Sequence, residues 1–308
     1  MANTYAKVSG TFQEADEIYA KVSGTWEEVD EAYGKVSGVW KLVFSAFEAT
    51  SIQTLSSGSG TFSVPAQANA IHIQAAVGGG GGAVGGADYD KAGGESAGAG
   101  GGSGAFISDK IFSVTGGETL TYAIGSSGSG TGKGFNVTAS GGGTTTLSGG
   151  TSGSLFSLTG GGGSRGTGGG VQGPLRSNTA GTAGSATISG TAITSGNFRD
   201  TDGTQKAVTT NTSGPDGTFN SSGNGAVGSN NGNCGGDNCR IGGSNGATSY
   251  DGNISGGAGG SSSGAGTNGT AGTRGSGGGG GAAQVNGGST SGAAGGSGEI
   301  RYRFLKVN

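Results

Sequence analysis

The amino-acid sequence predicts an all-β protein, on the basis of three observations. The first 48 residues contain three copies of a 14-residue unit with the pattern of a short β-hairpin. Beyond them the chain is dominated by glycine, yet short runs of alternating apolar and polar residues occur near both ends of this part. Only six of the 79 glycines lie in the first 60 residues. The chain therefore divides into two regions of different composition.

Each N-terminal unit places a Ser-Gly pair between two β-rich runs. The three copies are residues 5–12 (YAKVSGTF), 19–26 (YAKVSGTW) and 33–40 (YGKVSGVW). With Ser23 and Gly24 as a two-residue turn, Lys21 faces Trp26 across the hairpin. We therefore expect short-strand hairpin repeats, forming a meander of about six strands that ends near Phe44.

A helix over residues 13–19 is the alternative for part of this region, because its acidic residues and alanine favour helix. A sheet as narrow as the predicted meander cannot bury a sizeable core by itself. We therefore expect residues 1–48 to be an attachment or oligomerisation region, completed by copies of itself or by a larger partner.

The glycine-rich body is predicted to contain several strands. Residues 49–60 are rich in serine and are predicted to be a linker, and residues 61–308 to form one domain. Residues 70–77 place Ile71, Ile73 and other apolar residues alternately with polar ones, as in a half-buried strand. Further strands are predicted at 61–64, 105–114, 119–124 and 300–305, with weaker patterns at 155–158 and 186–189. The C-terminal strand is expected to close a sheet begun around residue 61, so that the glycine tract is an insertion.

Polyglycine can form an extended helix of three residues per turn that makes no internal hydrogen bonds. Neighbouring segments must then satisfy its backbone groups, and the missing Cβ atoms let them approach closely. Candidate segments are residues 93–104, 160–170 and 275–283. Simple disorder is disfavoured by the alternating runs, and collagen by three prolines and no sustained Gly-X-Y register.

Charge and hydropathy exclude several classes of partner. A net charge of −3 gives no electrostatic basis for binding nucleic acid. The N-terminus lacks the apolar core of a secretory signal peptide, and no run approaches the length needed to span a bilayer. We therefore expect a product made in the cytoplasm without a signal peptide and not inserted into a membrane.

Several stretches of the chain resemble the glycine-rich domain of bacteriophage tail fibres and adhesins. They are residues 61–65 (TFSVP), 76–82 (AVGGGGG), 101–106 (GGSGAF), 114–120 (VTGGETL) and 295–302 (GGSGEIRY). The 14-residue repeat is similar to the N-terminal part of many phage structural proteins. The resemblance implies a virion tail protein with a β-sandwich-like base and polyglycine II-like helices, whose loops face the host surface.

The expected function is host-cell attachment by a tail fibre or fibre-tip adhesin; the alternative is a purely structural fibre or decoration protein. Expected partners are other tail proteins, bound through the N-terminal repeats, and a protein or glycan receptor. A homo-oligomer such as a trimer is also expected. No enzyme, cofactor or metal site is predicted. His72 is interpreted as an outward polar residue, and residues 200–203 (DTDG) as a structural turn rather than a calcium loop.

Candidate receptor contacts are aromatic and charged residues in the non-glycine stretches. They are Phe198 and Arg199 in residues 197–204, Phe219 in residues 216–222, and Tyr250 in residues 249–253. The alternative is that the aromatic side chains anchor their loops to the body. Cys234 and Cys239 in residues 233–240 form either a short disulfide loop or two free thiols.

Overall fold

The structure, a computed structural model, describes most of the glycine-rich body and the strands of the N-terminal repeats. The described residues are 5–8, 11–14, 19–29, 31–36, 38–45, 47–83, 95–96, 98–132, 137–165, 179–208, 221–223, 233–234, 240–241, 268–279, 283–284 and 290–308. Within these residues there is no helix, and every pair of strands is antiparallel. The all-β prediction is confirmed.

Strands account for all regular secondary structure in the described residues. In chain order they are β1 (Tyr5–Val8), β2 (Thr11–Glu14), β3 (Tyr19–Val22), β4 (Thr25–Glu28), β5 (Glu31–Val36), β6 (Val39–Ser45), β7 (Gln53–Leu55), β8 (Ser59–Ser63), β9 (Ala70–Val77), β10 (Glu95–Ser96), β11 (Phe106–Ser113), β12 (Thr119–Ala123), β13 (Thr145–Gly149), β14 (Gly153–Leu158), β15 (Ala186–Ile188), β16 (Asn197–Arg199), β17 (Gln205–Ala207), β18 (Ser221–Gly223), β19 (Asn233–Cys234), β20 (Arg240–Ile241), β21 (Ala283–Gln284) and β22 (Glu299–Leu305).

The N-terminal repeats form three hairpins: β1–β2, β3–β4 and β5–β6. Lys21 lies opposite Trp26, as predicted. Ser23 and Gly24 both have positive φ, +49° and +94°, which is the backbone of a type I′ turn. Among the described residues each hairpin pairs only with itself, so there are three two-stranded sheets and not one meander. Residues 13 and 14, part of the alternative helix, lie in β2.

Two five-stranded sheets form the base of the body. The first has the order β18-β11-β9-β22-β7 and the second β15-β14-β13-β12-β8. Ile71 and Phe112 of the first sheet share a buried core with Leu120 and Phe156 of the second. The rings of Phe112 and Phe156 lie 6.3 Å apart across this core. The base is therefore a β-sandwich.

Three details differ from the sequence-based expectations. The C-terminal strand β22 pairs with β9 and β7, whereas β8, at residue 61, belongs to the other sheet. Residues 49–60, expected to be a linker, contain β7 and the first two residues of β8. In β9, buried and less buried residues alternate as far as Ile73. Gln74 then forms a bulge, because it has no partner residue in β22, and the alternation shifts by one residue. Ala76 therefore joins Ile73 in the core.

Glycine-rich segments form a bundle that continues from one end of the sandwich. Its central segment, residues 78–83, follows β9 directly. The N–H groups of the central segment donate in turn to the carbonyls of three different neighbouring segments over 2.7–3.0 Å. Residues 78 and 81 donate to residues 105 and 102, and residues 79 and 82 donate to residues 143 and 140. Residues 80 and 83 donate to residues 296 and 293. Each step of three residues is matched by a step of three in the partner. This is the hydrogen-bond pattern of polyglycine II.

The carbonyl groups of the central segment extend the same pattern to three further neighbours. Residues 79 and 82 accept from 161 and 164, residues 80 and 83 from 128 and 131, and residue 81 from 278. The central segment is thus surrounded by six ring segments, which are residues 98–105, 159–165, 139–144, 125–131, 290–298 and 275–279 in their order around it. Two outer segments, residues 179–185 and 268–273, lie outside this ring.

Strands of the sandwich run directly into the bundle. Six strands besides β9 adjoin a ring or outer segment: β11, β12, β13, β14, β15 and β22. Of the candidate polyglycine segments, the parts 98–104, 160–165 and 275–279 belong to the ring. Glu95 and Ser96 instead form β10, and Ala283 begins β21. The sandwich therefore fixes one end of most segments of the bundle.

Candidate functional site

Residues 78–82 of the central segment have no room for a side chain. A Cβ atom on Gly80 would overlap the carbonyl group of Ser276, and one on Gly81 that of Gly162. Because these obstacles are backbone atoms, no change of side-chain rotamer relieves them. The central segment is described as far as Ala83, which is itself fully buried. The glycine segments therefore pack backbone against backbone and form a dense support.

The two ends of the body differ in what they present. Four described segments, which end at residues 83, 132, 165 and 279, all end on the side of the bundle opposite the sandwich, which we call the distal end. Arg165 is exposed there, and its backbone exchanges two 2.8 Å hydrogen bonds with Thr179. Four connections between segments therefore start at the distal end.

The N-terminal region joins the body at the other end. The Thr50 N–H donates to the Phe304 carbonyl over 3.0 Å, near the end of β22 that points away from the bundle. The Ala49 N–H donates to the Arg199 carbonyl over 2.8 Å. We call this region, with its chain entry at residues 47–50, the proximal end.

The hairpin of β16 and β17 lies at the proximal end. Its Phe198 is only 7% exposed and packs with Ile111 and Leu305 on the outer face of the first sheet. The guanidinium of Arg303 lies 5.5 Å from the Phe198 ring centroid, a cation–π contact. The structure places Phe198 in an anchoring role, the alternative left open by the sequence. Arg199, partly buried, follows it on the same strand.

A chain of polar contacts fixes this hairpin to the sheet. Arg303 donates from Nη1 to Asp200 Oδ1 over 2.5 Å and from Nε to His72 Nδ1 over 3.2 Å. His72 Nε2 lies 3.1 Å from Asp109 Oδ1, and Lys206 binds the second oxygen of Asp200. Burial raises the pKa of Asp200, but hydrogen bonds from Lys206 and the Thr201 backbone and the charge of Arg303 outweigh it, leaving the pKa at about 2.

Residues 200–203 form a turn, and the Gly203 N–H donates to the Asp200 carbonyl over 2.9 Å. Both carboxylate oxygens of Asp200 bind cationic side chains. Within the described residues no group of three potential ligands suited to a metal ion occurs. His72 holds Arg303 in place, so its polar character serves the hairpin.

The remaining predicted site residues lie largely outside the described part. Phe219, Tyr250 and Cys239 are in undescribed stretches. Cys234 is in β19, where its backbone pairs with that of Glu95. Receptor contact by Phe219 and Tyr250, and the pairing of Cys234 with Cys239, therefore stay predictions. The sequence did not single out the ionic cluster around Asp200, because Asp200 and Arg303 are separated by 103 residues along the chain.

The body described above corresponds to a known type of domain. A family model described as a glycine-rich domain matches residues 54–305. The match begins within β7 and ends at the last residue of β22, so it includes both sheets and the bundle. No curated protein matches the chain. Among the described residues, no helix has the length and apolar character needed to cross a bilayer.

Proposed function

The chain belongs to the glycine-rich domain family, and on that premise we propose that it is a bacteriophage tail protein, a tail fibre or fibre-tip adhesin, that presents loops for attachment to the host-cell surface. The observation that supports this most is that the two ends of the body differ. The N-terminal region joins the body at the proximal end, and four described segments end at the distal end. A rigid support with its attachment and its loops at opposite ends suits a protein that holds loops away from a particle.

In this proposal the N-terminal hairpins bind other tail proteins or copies of the same chain, as in a homo-oligomer such as a trimer. The protein is made in the host cytoplasm and is located in the virion tail. The receptor, a protein or a glycan, is bound by non-glycine residues at the distal end and needs no cofactor or enzymatic step. Phe198 and Arg199 lie at the proximal end and are assigned to the support. Phe219 and Tyr250 stay candidate receptor contacts.

Blocking each end of the body separately tests this proposal. Gly132 at the distal end is exposed with open space around it, and so is Gly150 in the turn between β13 and β14, far from the bundle. Each is replaced by cysteine, in a chain whose Cys234 and Cys239 are serine, and is coupled to biotin and streptavidin. We expect the block at residue 132 to abolish binding of the full chain to cells of the phage's host, and the block at residue 150 to leave it intact.

A purely structural fibre or decoration protein predicts a different result. The unblocked chain would then not bind host cells at all, although antibodies would still locate it on the virion. Equal inhibition from both ends would contradict the assignment of the receptor contacts to the distal end. Absence of the chain from virions would contradict both interpretations.

A further inference from the structure

The two outer segments occupy grooves of the same kind. Residues 179–185 lie over ring segments 98–105 and 159–165: Gly181 and Gly184 donate to the carbonyls of Gly100 and Ser103, each over 2.9 Å. In return, the carbonyls of Thr182 and Ser185 accept from the N–H groups of residues 162 and 159, at 2.8 and 2.9 Å. One wall of this groove therefore offers carbonyls, and the other offers amides.

The second outer segment repeats this arrangement. Residues 268–273 lie over ring segments 290–298 and 275–279, and Gly269 and Gly272 each donate over 3.0 Å to the carbonyls of Ser291 and Ala294. The carbonyl of Thr270 accepts from the Gly279 N–H over 3.0 Å. Both outer segments contain the same tetrapeptide, Gly-Thr-Ala-Gly, at residues 181–184 and 269–272.

The ring has a third groove of this type, between segments 139–144 and 125–131. The six ring segments form six grooves between them. The two filled grooves and this third one are every second groove around the ring. Because the conformation repeats every three residues, the carbonyls of Gly141 and Thr144 point into this groove from one wall. The N–H groups of Ser126 and Ser129 point into it from the other wall. Ser126, Gly141 and Thr144 are exposed. We call this the open groove.

Backbone groups in the open groove are available for binding. Among the described residues, the Ser126 N–H and the carbonyls of Gly141 and Thr144 have no hydrogen-bond partner. The Ser129 N–H donates to the hydroxyl of Ser140 over 2.6 Å, so a side chain takes the place of a partner carbonyl. Neither wall contains a charged side chain. The groove therefore suits a neutral extended peptide, bound through its backbone.

We propose that the open groove binds a glycine-rich segment of another polypeptide in the polyglycine II conformation, with glycine at every third position as in Gly-Thr-Ala-Gly. The filled grooves show why glycine is required. A Cβ on Gly181 would overlap the backbone of residues 102 and 162, and one on Gly184 that of Thr159. The bundle can thereby add a segment from a neighbouring chain, and this does not depend on the proposed host attachment.

Titration of the isotope-labelled full chain with a peptide tests the proposal. The peptide has the sequence of residues 179–185 (TAGTAGS). We expect its addition to shift the amide resonances of Ser126 and Gly141 and their neighbours. The matched peptide with both glycines replaced by alanine should cause no shift, because its Cβ atoms would meet the walls.

Two variants at one position complete the test. Ser126→Pro keeps the backbone angles of polyglycine II but removes the N–H group and places a ring in the groove. Ser126→Ala removes only the hydroxyl. We expect the peptide-induced shifts to disappear in S126P and to persist in S126A. The proposal is overturned by an absence of shifts in the unsubstituted chain at millimolar peptide, by equal shifts with the alanine peptide, or by unchanged shifts in a folded S126P.

Discussion

Asp200 and Glu118 are buried carboxylates whose hydrogen bonds hold loops of the sandwich in place. Asp200 binds Arg303 and Lys206 and thereby fixes the β16–β17 hairpin to the first sheet. Glu118 joins two turns: it accepts from the Thr115 N–H over 2.7 Å and from the Thr151 and Ser152 N–H groups over 3.0 and 3.1 Å. At the residue scale, stability at the proximal end thus depends on ionised carboxylates.

Asp200→Asn should destabilise the chain by about 2 kcal/mol at pH 7, because Arg303 stays buried without its counter-charge. The folded pKa of Asp200, about 2, is below the unfolded value, so its contribution is complete above the unfolded pKa. It is lost as the pH falls through the folded pKa. Urea unfolding of both proteins between pH 7 and pH 2 should show a difference that declines below about pH 4. A difference independent of pH would contradict the assigned role.

Glu118→Gln should cost about 1–3 kcal/mol, because an amide cannot accept all the hydrogen bonds that the two carboxylate oxygens accept. Burial raises the pKa of Glu118, but the N–H groups of Thr115, Ser152 and Thr151 and the Ser152 hydroxyl lower it below its usual value overall. The same substitution at the exposed Glu48 is the control and should change the unfolding midpoint little. Equal effects at both sites would contradict the bridging role of Glu118.

At the scale of elements, the order of the bundle comes from segments that satisfy one another's backbone groups. The sequence predicts the main strands because their apolar residues alternate with polar ones, as Ile71 and Ile73 do. It does not predict β13, where two threonines and one buried leucine form a strand between two others. It also does not identify residues 78–83 as the centre, since every polyglycine run has the same composition. Position in the bundle is decided by the strands to which each segment is joined.

Gly80→Ala should disrupt the bundle, because the added methyl group would overlap the backbone carbonyl of Ser276. We expect a loss of more than about 4 kcal/mol or a failure of the body to fold. Gly132→Ala is the matched control: it has open space for a Cβ and should change the free energy of unfolding by less than about 1 kcal/mol. Thermal unfolding monitored by circular dichroism compares the two. Similar stability of G80A and G132A would contradict the close packing of the central segment.

At the scale of the whole molecule, the body is a sandwich extended by a closely packed bundle, with the N-terminal entry at one end and chain connections at the other. The sequence predicted the all-β class, the hairpin repeat and the polyglycine conformation from periodicity and composition. It could not place Phe198, because whether an aromatic residue in a polar stretch is buried depends on contacts with distant residues such as Leu305. The sequence also could not predict the order of the segments around the ring, because the backbone hydrogen bonds that set this order do not depend on which segment supplies them.

Hydrogen–deuterium exchange of the full chain, followed at single amides, determines whether the glycine-rich body is ordered in this way. The N–H groups of residues 79–82 are all hydrogen-bonded inside the bundle, so they should be as protected as those of strand β9. The free N–H of Ser126 should exchange fast, whereas the N–H of the preceding Gly125, which donates to the Thr145 hydroxyl, should be protected. Exchange of residues 79–82 at the rates of an unstructured chain, while β9 stays protected, would mean that the glycine tract is a flexible tether and not a support.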